Sequence, residues 1–352
     1  MGRKKEDHSA LGLVSRHRGE IMGFAALCII IFHEWITLSD GLAGAGSLSI
    51  INTLEVWLKR FGFFGVDIFF FLSGIGLTFS IVKTGVGRFY YNRFKRVFLP
   101  FLIVAIGRAI LEHWPVGQFV GNITGWNFYA HSMYSFLWFV PAIMTFYIFF
   151  PLYYKIFDFA PHKGVFTFAI ILLWLFASIK FKDIMREDLF GFTNRIPVFI
   201  TGVYAGYLTR EKKGIEFKWY HWILTIAAFA LGFFLAVRTN FHDLYLLVPV
   251  SNSFLPNFLM AISVVLLLAK TFDAFSKNAL GRGFCKIFGF FGMFSLEFYC
   301  VQEWLGGLII PRIWGMMPPI AINATVIAAS TIIGIAIYYF QKAFWKAIDS
   351  KV

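Results

Sequence analysis

The chain has 352 residues, 59% of them hydrophobic, 20% aromatic and only 14% charged. Soluble domains carry about 25% charged residues, so this composition excludes a disordered chain and argues against a water-soluble enzyme. A net charge of +13 would suggest nucleic acid in a soluble protein. In a chain of mean hydropathy +0.70 it points to membrane topology instead, and no nucleic-acid partner is expected.

Ten apolar stretches follow one another, near 19–38, 61–82, 97–111, 136–157, 165–180, 195–209, 221–237, 254–269, 287–310 and 319–345. Several are shorter than the ~20 residues of a perpendicular helix. With the N-terminus in the cytoplasm, 23 Lys and Arg fall inside and 8 outside, with Arg108 within the third stretch. That asymmetry predicts both termini inside and an even number of crossings. The expected fold is an all-α polytopic bundle of about ten transmembrane helices. Residues 1–18 form a cytoplasmic segment, 19–345 a single membrane domain and 346–352 a cytoplasmic tail. The first twenty residues do not read as a secretory signal, and Glu6 replaces the Ser or Thr of a myristoylation site. Cys28, Cys285 and Cys300 are too scattered for a disulfide framework, and Cys28 and Cys300, in apolar runs, read as buried small hydrophobes. No zinc or haem spacing occurs, and no metal is expected.

An ionisable side chain in a bilayer core costs at least about 2.5–3.5 kcal/mol, so each one is a functional candidate. The set comprises His33 and Glu34 in the first stretch, Asp67 in the second and Arg108 in the third. Glu297, Gln302 and Glu303 lie in the ninth, and Arg195 at the outer end of the sixth. His33 lies ~22 Å along an ideal helix from Arg18, in the outer half of the bilayer. Asp67, Arg108, Gln302 and Glu303 are expected at similar depth, lining one polar cavity open to the outside. The competing reading is interhelical glue, worth about 0.6 kcal/mol per contact. A second cluster, GRFYYNRFKRVFLPF, carries Arg93 and Arg96 three residues apart. It reads either as a positive-inside anchor or as a phosphate clamp.

These segments, in this order, resemble the acyltransferase 3 family of integral membrane acyltransferases. The resemblance rests on RGEIMGFAALCIIIFHEW ending at His33, on FFGVDIFFFLSG and FYYNRFKRVFLP, and on LWFVPAIMTFYIFFPLYY, RIPVFITGVYAG and SLEFYCVQEW. It covers about residues 16–304 and implies a ten-helix fold. It also implies transfer of an acyl group, most often acetyl, from cytoplasmic acetyl-CoA or another acyl-CoA to a carbohydrate hydroxyl. His33 then corresponds to the essential histidine, and Arg93 and Arg96 to an Arg-x-x-Arg pair near the donor. Two departures stand out. Met22 occupies the place of an Arg, for which Arg18, ~60° around the helix from His33, could substitute. Gln302 replaces a second histidine and cannot shuttle a proton.

The implied mechanism makes His33 the general base, oriented by Asp67 or Glu34. Arg93, Arg96 and Arg18 hold the donor. Arg108, Trp138, Arg195, Glu297, Gln302 and Glu303 are candidates for the acceptor or the oxyanion. The expected location is a bacterial-type plasma membrane. The expected acceptor is a cell-envelope polysaccharide or lipid-linked sugar among membrane lipids, with a separate extracytoplasmic partner left open. Two alternatives from other classes are a transporter or flippase for an envelope glycoconjugate or small anion, and a catalytically inactive partner subunit.

Overall fold

The computed structural model describes residues 9–33, 59, 62–132, 135–181, 183–241 and 249–350. Among the described residues the chain is helical and has no strand. The helices are α1 (Ala10–Arg16), α2 (Arg18–His33), α3 (Phe64–Leu111), α4 (Val116–Ile123) and α5 (Trp126–Ala130). They continue with α6 (Phe139–Phe159), α7 (Lys163–Phe181), α8 (Phe190–Thr193), α9 (Ile196–Arg210) and α10 (Trp219–Phe241). The last four are α11 (Pro249–Phe275), α12 (Ala279–Met293), α13 (Ser295–Ile313) and α14 (Pro319–Asp349).

Six of these helices are long and apolar enough to cross a membrane, or seven if the pair α12 and α13, bent by 72°, is one span. This is fewer than the ten stretches of the sequence, for two local reasons. The stretches at 61–82 and 97–111 fall in one helix, α3, which is interrupted at Gly85 (φ 71°, ψ 172°). That left-handed φ is one glycine adopts freely and other residues resist. The described part of the stretch at 19–38 lies in α2, of 16 residues, its remainder falling outside the described residues, and the stretch at 195–209 forms α9, of 15.

The chain divides into two compact units. One comprises Met1–Met22, Val66–Tyr90 and Ala142–Phe290, the other Gly23–Gly65, Tyr91–Pro141 and Phe291–Val352.

The first unit is built around a close helix crossing. A Cβ on Gly74 of α3 would fall on the backbone of Phe199 and Val203 of α9, and one on Gly202 on the backbone of Phe71. Only glycine permits that approach, the small-residue contact typical of membrane helices. The Thr78 hydroxyl donates to Gly74 O (3.0 Å) and, more weakly, to Val203 O (3.3 Å), tying the two backbones together. Along this crossing α9 runs parallel to α3, from Asp67 beside Arg195 to Ile75 beside Gly206. The long pair α10–α11 packs at Gly232 against Leu259, Met260 and Pro256. Helix α1, capped by the Ser9 hydroxyl on Gly12 N (3.1 Å), lies against α11 with Arg16 facing Asp273 at 3.3 Å.

The second unit sets α2, the later half of α3 and α13 parallel, with α14 antiparallel. Ile30 of α2 meets Phe294 and Phe298 at the start of α13, with Ile327, Ile335 and Tyr338 of α14 covering them. Gly107 of α3 lies under the Trp304 ring of α13. Gly334 of α14 crosses the backbone of Phe298.

Candidate functional site

The second unit carries three polar sites along these helices. His33 is the last residue of α2, and its Nδ1 lies 2.6 Å from the side-chain amide nitrogen of Gln302 on α13. Gln302 is buried. The pairing follows from the apolar cluster below it. Once Ile30 is seated on Phe298, the next turn of each helix brings residues 33 and 302 together. Both line a cavity of about 20 Å³ with Phe298, Asn323 and Val326. That is room for about one water molecule.

One and a half turns earlier on α13, ~7.5 Å along its axis, Glu297 is fully buried. Its Oε1 accepts from Arg96 Nη1 at 2.8 Å and from the Gln341 amide of α14. A carboxylate at this depth is tolerated because a charge and an amide both donate to it. Arg96 and Gln341 also edge an open pocket of about 740 Å³ between α3 and α14, whose lining includes Lys95, Lys342, Trp345 and Lys346. Lys95 forms a salt bridge with Asp349 and sits over the rings of Tyr91 (5.0 Å) and Trp345 (5.1 Å). Asp349 and Glu297 answer Lys95 and Arg96, so Lys342 and Lys346 leave the pocket with a positive excess. Cationic groups around an indole suit a phosphorylated ligand with a planar base.

At the other end of the later half of α3 lies the third site. Arg108 is ~18 Å along the helix from Arg96. Its Nε donates to both oxygens of Glu112, at 2.8 and 2.9 Å. It also interacts electrostatically with Glu303, the neighbour of Gln302. Arg108 and Glu112 line an open cleft of about 660 Å³ floored by α4 and α5.

The expected site residues are therefore distributed. His33, Arg96, Arg108, Glu297, Gln302 and Glu303 belong to one unit, in three connected places. Arg93, on the same helix, is not among the described residues lining the basic pocket. Trp138 meets Phe139 edge-on at 6.4 Å and is not among the described residues lining the three cavities. Asp67 and Arg195 belong to the other unit, where they face each other at 3.5 Å, both buried. Arg195 also donates to Gly191 O. Arg18 is in that unit too, its guanidinium lying over Gly76. Glu34 lies outside the described residues. Sequence reasoning did not single out Gln341, Lys342, Trp345 and Lys346. Their signal was the run QKAFWK, where two lysines four apart share a helix face with a tryptophan between them. It was read only as an inside anchor. Among the described residues, no group of three or more His, Cys, Asp or Glu side chains could hold a metal ion.

No curated protein and no solved structure matches this chain. A family model does, that of an acyltransferase domain, over residues 23–339. The matched span takes in His33, Arg96, Glu297 and Gln302 and nearly the whole run of apolar helices. The chain belongs to the acyltransferase 3 family, and its activity is that of a multi-pass membrane acyltransferase.

Proposed function

We propose that the protein transfers an acyl group, acetyl by preference, from cytoplasmic acyl-CoA to a hydroxyl of a cell-envelope carbohydrate, with His33 as general base. The observation that carries this reading is the alignment of polar sites in one unit. A basic pocket edged by Arg96 opens at one level of α13, and the His33–Gln302 pair stands ~7.5 Å further along it. Lys342, Lys346 and Arg96 hold the phosphates of the donor, Trp345 takes its base, and the thioester reaches toward His33.

The acceptor hydroxyl oxygen attacks the thioester carbonyl carbon while His33 takes its proton. The C–S bond then breaks, and the imidazolium returns the proton to the departing thiolate. For His33 Nε2 to be the base, Nδ1 must carry the proton. The Gln302 amide is then turned so that its oxygen accepts from Nδ1–H, an orientation related by a simple flip. Gln302 thus orients the imidazole without moving a proton itself.

The same reading places ten crossings in a bacterial-type plasma membrane with both termini inside. Its support is the parallel course of α3 and α9. If α6 and α7 each cross once, α9 would run antiparallel to an uninterrupted α3. A turn of α3 near Gly85, with its later half crossing separately, accounts for the observed direction under that assumption. A straight 48-residue helix would also be ~72 Å long, over twice the ~30 Å hydrocarbon core.

The test is transfer of labelled acetyl from acetyl-CoA to an envelope polysaccharide extract by purified protein in lipid nanodiscs. His33→Ala should lose transfer by ~10²–10⁴-fold while still binding donor. Lys342→Ala/Lys346→Ala should weaken acetyl-CoA binding about tenfold, more at low salt than at high. Undiminished transfer by His33→Ala would remove it as the base. Absence of donor binding by the wild type would refute the acyl-CoA reading.

A further inference from the structure

The cleft at the Arg108 end of α3 shares no lining residue with the basic pocket, and it is an organised polar site. Glu112 gathers three hydrogen bonds, two from Arg108 Nε and one from Trp114 Nε1 at 2.9 Å. The guanidinium of Arg108 in turn sits over the rings of Trp114 (5.6 Å) and Phe136 (5.2 Å). On the opposite wall Asn127 Nδ2 donates to the buried Asn122 Oδ1 at 2.8 Å. Asn127 fits over Gly121 with no room for a Cβ beneath it. Gln118 and Trp126 are exposed at the mouth, Trp126 by 64%.

The chemistry of this lining selects a class of ligand. The charge of Arg108 is answered by the carboxylate of Glu112, so an anion gains little there. Asn122 and Asn127 are already paired with each other, but an apolar ligand would cover the exposed Gln118 amide without giving it a partner, which is costly. A molecule with many hydroxyls and flat C–H faces satisfies both the amides and the tryptophan. The volume, about 660 Å³, lies within the ~300–1,000 Å³ of small-ligand pockets.

We infer that this cleft, between the end of α3 and the α4–α5 helices, binds an uncharged carbohydrate, with Trp126 as its platform and Gln118 and Asn127 as hydrogen-bonding partners. That the bound sugar is the acyl acceptor rests on the function proposed above. The site stands about one turn of α3 from Gly107, where that helix meets α13 at Trp304, two residues past Gln302. Arg108 is within electrostatic reach of Glu303, the residue that follows the His33 partner Gln302 on α13. A sugar in the cleft therefore approaches His33 from the side opposite the basic pocket.

Equilibrium binding to the full chain in nanodiscs tests this directly, without donor. The probes are cellohexaose, chitohexaose and maltohexaose, with a hexameric oligogalacturonate as the charged counterpart. The wild type should bind at least one neutral hexasaccharide and prefer it to the oligogalacturonate. Trp126→Ala and Gln118→Ala should each weaken binding, the former about tenfold or more. Trp219→Ala, an exposed tryptophan of the other unit, should not. An unchanged thermal unfolding midpoint certifies that each variant is folded. Equal binding by Trp126→Ala and wild type would overturn the assignment and leave Trp126 as an interfacial anchor. So would preference for the oligogalacturonate, or no binding of any neutral probe. Sugar binding that depends on Trp126 in a protein unable to use acyl-CoA would refute the proposed function and keep the cleft. Acyl transfer with an acceptor KM indifferent to Trp126 would do the reverse.

Discussion

Among the described residues, each unit holds one buried carboxylate facing one arginine, and the two pairs are built differently. Asp67 and Arg195 lie 3.5 Å apart where α3 and α9 begin, with both side chains almost sealed from solvent. A few residues on, the glycine crossing leaves no space for a ligand. Glu297 is equally buried, but Arg96 is 37% exposed and opens onto the basic pocket. The first pair ties two helices together. The second holds a cation at the rim of a cavity. An ionisable group in a membrane helix is therefore not functional by depth alone. What distinguishes the two is whether its partner reaches a space that a substrate can enter.

The largest effect that would break this comparison is on stability. Removing one member of the sealed pair leaves the other charge buried without compensation, a loss of about 3–5 kcal/mol. Asp67→Ala or Arg195→Ala should each lower the unfolding midpoint sharply. The double variant Asp67→Leu/Arg195→Met should recover most of it, because two apolar side chains replace two desolvated charges. Total activity should follow the folded fraction in all three, with activity per folded molecule unchanged. A double variant that is fully stable yet inactive would give Asp67 or Arg195 a direct part in the chemistry.

These two pairs also show where the sequence was legible. Apolar runs identified the helices, His33, Glu297 and Gln302 emerged as candidates from their cost in a bilayer, and Arg96 emerged from the basic run GRFYYNRFKRVFLPF. Order along each helix was readable because it follows from counting residues. Lateral neighbourhood was not. Asp67 and Arg195 were expected in one cavity with His33; what the sequence did not tell is that they face each other where α3 and α9 begin, next to the glycine contact at Gly74 and Gly202. In the other direction, Lys342, Lys346 and Trp345 were hidden among ordinary anchoring residues. Nothing local in QKAFWK tells that Gln341 reaches Glu297. The cleft lined by Trp126 lies on two short helices between apolar stretches, where periodicity carries little information.

A smaller effect sharpens the reading of Gln302. If its amide oxygen holds Nδ1–H of His33, removing it frees the imidazole to rotate and to take the other tautomer. Gln302→Leu should lower kcat ten- to hundredfold with little change in the KM for acyl-CoA, since the donor pocket lies on the far side of Glu297. Gln302→Glu supplies an acceptor of the same reach and should restore much of the rate. A loss confined to KM would mean that Gln302 contacts substrate rather than positioning the histidine.

The smallest expected effect concerns Arg18, whose guanidinium covers Gly76 in the first unit. A Cβ at Gly76 would lie 2.8 Å from Arg18 Nη2, too close to coexist with the present rotamer. The obstacle is the end of a long flexible side chain, and it can swing aside. Gly76→Ala should therefore cost less than the ~1–3 kcal/mol of ordinary overpacking. Gly74→Ala, whose Cβ meets the backbone of Phe199 and Val203, should cost that much or more. Donor affinity provides the sharper reading, because Arg18 stood beside Arg93 and Arg96 as a candidate for holding acyl-CoA. If its guanidinium serves to pack the first unit, Gly76→Ala leaves the Kd for acetyl-CoA unchanged while shifting the unfolding midpoint slightly. A weakened Kd with an unshifted midpoint would move Arg18 into the donor site.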